Sequence, residues 1–209
     1  MPSLCRPVFS VFCFLFSVIL LLLACGVPGP PVPPTPKIPQ PPRDLVVAQR
    51  GERVWLRWPL PTLHTDGSRL TAPQRAEVFR WFTENPSPTP EQLAAEAQPA
   101  QQIAEEELKA LVRDAAVEFA DALDSRELAE HAGRYAVYAV KALNRKNQDA
   151  GFSNLVAVRV YPVPTPIAQL ATQVTEQAIE LLWQVPTHTT SGTPLAAIAG
   201  YRIFRSSGS

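Results

Sequence analysis

"RVWLRWPLP", residues 53–61, decides the fold. Val54, Leu56 and Trp58 alternate with Trp55 and Arg57, the period of two that sends one set of side chains to a buried face and the other outward. The run ends at Pro59, which has no N–H to continue a central ladder. A second stretch, "AIELLWQVP" at residues 178–186, reads the same way, with Ile179, Leu181 and Trp183 on one face and a proline just beyond the strand. Displaced by 125, residues 45–80 lie on residues 170–205 without a gap, and eleven of the 36 pairs are identical. They include Leu45/Leu170, Leu56/Leu181, Trp58/Trp183, Pro61/Pro186, Gly67/Gly192, Leu70/Leu195, Ala72/Ala197 and Phe79-Arg80/Phe204-Arg205. The matches fall where a strand, a turn and a second strand need them, so the chain carries an internal duplication.

Working outward, "TDGS" (65–68) and "TSGT" (190–193) are turn signals. "AEVFRWF" (76–82) and "YRIFRS" (201–206) follow them as expected strands. In the first copy "RYAVYAVKALN" (134–144) alternates again, with Ala136, Tyr138, Val140 and Ala142 on one face. After the turn-like "RKNQDAG", "FSNLVAVRVYP" (152–162) supplies another strand, with Val156, Val158 and Val160 aligned.

This set resembles the fibronectin type III module. The features that carry the likeness are the entry "PPRDLVV", the strand ending in Trp58-Pro59 or Trp183, "GYRIFR" as a third strand, the late strand "YAVYAVKALN" and the exit "GFSNLVAV". The resemblance implies a mainly β fold, a seven-strand sandwich of two antiparallel sheets. In that fold Trp58 and Trp183 are packing residues, and Tyr138 and Tyr201 join them in the core. Either Tyr135 or Tyr138 stands in the place of the family's tyrosine corner. The first module spans residues 43–163, longer than the roughly 100 residues such a sandwich needs. The excess falls in "TPEQLAAEAQ" (89–98) and "AQQIAEEELKALVRDAA" (100–116), whose composition favours helix. Thr89 suits an N-cap and Pro90 the first helical position. One or two inserted helices at about 90–115 are expected to cover the outward rings Trp55, Phe79 and Trp81, the alternative being that these rings form a partner-binding patch. The second copy, residues 164–209, holds only the first strands and reads as a truncated second sandwich.

The opening residues have a different character. Arg6 is the only charge before residues 8–23, an apolar run of sixteen interrupted only by Ser10 and Ser17. That is short for a membrane span of about 20 residues. Leu22-Leu23-Ala24-Cys25 resembles the lipobox of bacterial lipoproteins. The resemblance implies that residues 1–24 are a signal peptide, that the Cys25 thiol is diacylated with palmitate-type chains, and that the new amino terminus is acylated too. Gly26, rather than Asp, after the cysteine implies the outer membrane. An uncleaved signal anchor or an ordinary secretory signal are the alternatives. Each buried methylene of an acyl chain contributes about 0.8 kcal/mol, so several chains hold firmly. Residues 26–42 contain nine prolines in seventeen positions, a linker that favours extended polyproline II and reaches roughly 50 Å.

Charge and composition narrow the function. Nineteen basic and nineteen acidic residues give a formally neutral chain, with no basic surface for nucleic acid. All three cysteines lie in the first 25 residues, so the folded part has neither a disulfide framework nor a thiol. His64, His131 and His188 share no metal-ligand spacing. "EEE" at 105–107 reads as a solvated helix face, and "RGE" at 50–52 is one residue from an integrin-type tripeptide without being one. No phosphate loop and no nucleophile elbow occurs. The reading is a non-enzymatic, cofactor-free and metal-free envelope protein, tethered to a membrane through Cys25, that binds a protein or glycan or serves as a spacer. The alternative is the accessory part of a larger secreted enzyme whose catalytic domain lies beyond residue 209.

Overall fold

A computed structural model describes residues 35–71 and 75–206. The signal segment 1–24, Cys25 and most of the proline-rich linker lie outside the described residues. One compact unit spans Lys37–Ser209.

The alternation seen in the sequence becomes two antiparallel sheets. The first has the order β1-β2-β6-β5, with β1 Val46–Arg50, β2 Arg53–Pro59, β5 Val112–Arg113 and β6 Ala116–Ala122. The second has the order β4-β3-β7-β8, with β3 Arg75–Thr83, β4 Gln98–Ile103, β7 Tyr135–Leu143 and β8 Val156–Arg159. One core fills the space between them. Val54, Leu56, Trp58 and Val117 point into it from the first sheet, and Ala76, Val78, Ala136, Tyr138 and Val140 from the second. β2 alternates strictly between buried and exposed positions, so one of its faces meets water. β7 is buried on both faces. Its second face, Val137 and Ala139, packs with Leu93, Trp81, Phe152 and Leu155.

Leu93 comes from α1, Pro90–Glu96. Thr89 caps this helix reciprocally with Gln92, and Pro90 occupies a first-turn position where its missing N–H costs nothing. A second short helix, α2, covers Glu105–Ala110 and buries Leu108. Between them the helix-favouring stretch behaves otherwise. Residues 98–103 form β4, an edge strand paired with β3 through a register shift at Val78/Phe79 opposite Pro99. An edge strand with a bulge is where a sheet accepts proline. Residues 112–113 form β5 and turn directly into β6 through Asp114 and Ala115, both at positive φ. A third helix, α3, at Ser125–Glu130, is capped by Asp124 and Glu127, the two ends of the capping box "DSRE".

The helical cover reaches only part of the expected rings. Trp81 packs against Leu93. Phe79 instead meets Phe152 edge to face at 5.0 Å, with the Lys141 ammonium over both rings. Trp55 stays 38% exposed on the outer face of the first sheet, which corrects the expectation that the helices cover it.

Two side-chain amides link β1 and its entry to residues 154–161. Asn154 accepts from the Leu45 N–H at 2.9 Å and donates to the Leu45 carbonyl at 3.0 Å. Gln49 accepts from the Tyr161 N–H and donates to the Tyr161 carbonyl, both at 2.9 Å. Each amide uses one donor and one acceptor on the facing backbone, as a paired strand would.

The duplication recurs in the hydrogen bonds. β9 (Ala168–Val174) pairs with β10 (Ile179–Gln184) as β1 pairs with β2. Val47↔Leu56 becomes Thr172↔Leu181, and Gln49↔Val54 becomes Val174↔Ile179. The turn that follows repeats bond for bond. His64 N–H to Ser68 carbonyl, Gly67 N–H to His64 carbonyl and Leu70 N–H to Thr62 carbonyl return as Thr189 to Thr193, Gly192 to Thr189 and Leu195 to Thr187. Gly67 and Gly192 hold the same left-handed conformation, φ 80° and 81°, which glycine adopts without strain. The likeness stops at residues 201–206, expected as a strand, which join no ladder. In the first copy β3 is held by β4 and β7 on its two sides. Among the described residues the second copy has no counterparts of these.

Candidate functional site

Cys25, the expected lipid-bearing residue, lies outside the described residues. Among those described, no helix is long and apolar enough to cross a membrane. Trp58 and Tyr138 are fully buried between the two sheets. Trp183 and Tyr201 meet edge to face at 5.0 Å, Trp183 half-buried and Tyr201 38% exposed.

A polar cluster spans the sandwich. Arg80 lies on the inner face of β3 and reaches the Asp121 carboxylate of β6 at 2.7 Å and Glu127 of α3 at 2.6 Å. Tyr138 donates its hydroxyl to the same Asp121 oxygen at 2.8 Å. Burial pushes the Tyr138 pKa far up, and the neighbouring Asp121 charge adds to it, so the phenol stays a donor. Burial works against the Arg80 charge, but Asp121 and Glu127 outweigh it and its pKa is raised. Tyr138 thus gives its hydroxyl to a side chain on the opposite sheet rather than to a backbone carbonyl. The cluster consumes its own donors and acceptors, and its chemical consequence is to tie the two sheets together. Sequence reasoning missed it, though a signal existed. The Arg80/Arg205 identity places a guanidinium on an inward strand position, where a charge needs a partner.

Beside the cluster, His131 stacks on Phe82 with centroids 3.8 Å apart. Burial holds the His131 pKa below the usual imidazole value, against the opposing pull of Glu130. His64 is buried in the first turn against the Ser68 hydroxyl at 3.1 Å. Glu105, first of the three glutamates, is engaged by Lys109 and Arg145, which lower its pKa. Among the described residues no three His, Cys, Asp or Glu side chains gather as a metal site.

The outer face of the first sheet differs from the rest of the surface. The second sheet's outer face is covered by α1 and residues 152–155, whereas that of β1, β2 and β6 meets water. Trp55 sits in the middle of it, between Ala48 on β1 and Ala120 on β6. Val46, Arg57 and Glu118 form the next row, with Arg57 Nε 3.5 Å from the Glu118 carboxylate. Arg50 and Arg53 form the row on the other side, and the Arg50 guanidinium lies 5.8 Å from the centre of the Trp55 ring. A shallow hollow of about 220 Å3 opens among Val46, Ala48, Arg50, Trp55, Arg57 and Glu118. No protein-family model and no curated protein matches the chain.

Proposed function

We propose that the protein is a non-catalytic, lipid-anchored component of the cell envelope, in which fibronectin type III-like modules are held off an outer membrane by a proline-rich spacer and bind or position a partner. The observation that carries the modular reading is the recurrence of one strand register and one turn, bond for bond, 125 residues apart. The order of strands supports the family likeness. β1-β2-β6-β5 facing β4-β3-β7-β8 matches the immunoglobulin-like arrangement in which strands A, B, E and D face C, F and G. On that reading α1, β4 and α2 make up the insertion after the third strand, and residues 164–209 are the first strands of a second module. The anchor rests on Leu22-Leu23-Ala24-Cys25-Gly26, and the compact unit begins at Lys37, near the end of the proline-rich stretch.

The test is expression of the full chain in a Gram-negative bacterium, with mass spectrometry of the amino-terminal peptide and density fractionation of membranes. The expected product begins at an acylated Cys25 and sediments with the outer membrane, and Cys25→Ser releases it. An unmodified Cys25, or a mature end elsewhere, contradicts the anchor.

A further inference from the structure

The outer face of the first sheet is built like a seat for a single flat ring. Trp55 is flanked directly across the strands by Ala48 and Ala120, and the Arg50 guanidinium lies over part of its ring, 5.8 Å from the centre. Along β2 its neighbours on the same face are Arg53 and Arg57. Each stands about 6.6 Å from Trp55 along the strand, one on either side of it. The hollow beside it, about 220 Å3, is below the roughly 300–1,000 Å3 of a drug-sized pocket and suits one small ring.

Charge decides which ring. Arg50, Arg53 and Arg57 share the strands of this face with one acid, Glu118, which is engaged with Arg57, and Glu52 lies in the turn that joins β1 to β2. Among the described residues Arg50 and Arg53 pair with no carboxylate. The face is therefore cationic on a chain that is neutral as a whole. An indole face is electron-rich and attracts the polarised C–H groups of a pyranose, while guanidinium forks take carboxylates bidentately. We propose that this face binds an acidic glycan, one uronic-acid-type ring stacking on Trp55 with its carboxylate on Arg50 or Arg53 and its hydroxyls reaching the Arg57–Glu118 pair. The proposal names a ligand class for the binding role above, and it stands on residues 46–57 and 118 whether or not Cys25 is acylated.

The test uses the full-length protein in detergent micelles, labelled with nitrogen-15 so that the four tryptophan indole N–H signals are followed separately. The probes are an oligogalacturonate, a neutral cello-oligosaccharide of equal length and a polyglutamate of equal charge, each at millimolar concentration. The expected result is a saturable shift of the Trp55 signal with oligogalacturonate and binding about tenfold weaker for the neutral sugar. Trp55→Ala should weaken the acidic glycan about tenfold as read by calorimetry, Trp55→Phe should restore most of it, and paired Arg50→Gln and Arg53→Gln should abolish the preference for the acidic sugar. No shift at Trp55, unchanged binding by Trp55→Ala, or an equal response to polyglutamate, which would mark a plain charge patch for acidic peptides, overturns the proposal. An acylated Cys25 beside any of those results sinks this proposal alone.

Discussion

Leu45 and Leu170 stand at the same point of a duplicated hairpin, yet Leu45 is 2% exposed and Leu170 is 62% exposed. Phe79 and Phe204 differ in the same direction, at 8% and 88%. The register, the turn and its glycine are common to both copies. What differs is the second sheet. In the first copy β3, β7 and β8 cover the inner face, and Arg80 of β3 and Tyr138 of β7 reach across to Asp121 of β6. Hairpin pairing and turn geometry are thus specified within a few dozen residues, while burial depends on strands far along the chain. Two-stranded hairpins are marginal in water without such a cover.

The contrast is broken most severely at the tryptophans. Trp58→Ala removes a ring that is wholly inside the core and should destabilise the protein by about 3–5 kcal/mol. Trp183→Ala, at a partly buried ring on an uncovered hairpin, should cost clearly less, about 1 kcal/mol. Urea unfolding of the two variants checks this, and equal losses would mean that the second copy has a covered core after all.

Next in size is the inter-sheet tie. Asp121→Ala leaves Arg80 with Glu127 as its one carboxylate partner and the Tyr138 hydroxyl without an acceptor, and a loss of about 2–3 kcal/mol is expected. Arg205→Ala, at the exposed counterpart, should stay within about 0.5 kcal/mol. A double-mutant cycle with Arg80→Met separates the coupling from lost packing.

Much of the first copy is legible in its residues, and the reasons are local. Val54-x-Leu56-x-Trp58 gives β2 its buried face, and "YAVYAVKAL" gives β7. The misread parts are 98–103 and 112–116, on either side of α2. Their Ala and Gln favour helix, but pairing with β3 and β6 overrides that propensity. Ala115 at φ 61° is a conformation that alanine's Cβ opposes, so no composition rule marks the turn there. The Trp55 face was legible only in part. The alternation puts Trp55 outside, but Ala48 and Ala120 come beside it through pairing across three strands. The same is true of the inter-sheet tie, whose members are separated by 17 to 58 positions in the chain.

The amide bridge between Asn154 and Leu45 gives a smaller effect. Asn154→Ala leaves the Leu45 N–H and carbonyl without these partners and should cost about 1–2 kcal/mol. It should speed hydrogen exchange at Leu45 more than at Val54. Uniform acceleration across β1 and β2 would mean that the amide supports the whole sheet rather than its edge.

The smallest effect is a pH dependence. His131 has its folded pKa held below its unfolded value, so the unfolded chain binds the proton more readily. Its contribution to stability is complete above about pH 6.5 and is lost as pH falls through the folded value. His131→Phe keeps a ring on Phe82 and should flatten the fall in stability between about pH 7 and 5. An unchanged slope would place that dependence on other groups.

Native-state hydrogen exchange on the intact chain, comparing the amides of β2 with those of β10, tests the difference between the copies most directly. The expected result is that β2 amides exchange only through global unfolding, while β10 amides exchange at least about a hundredfold faster through local opening of an uncovered hairpin. Equal, strong protection in both strands would contradict the account, because it would require a second sheet to cover Ile179, Leu181 and Trp183.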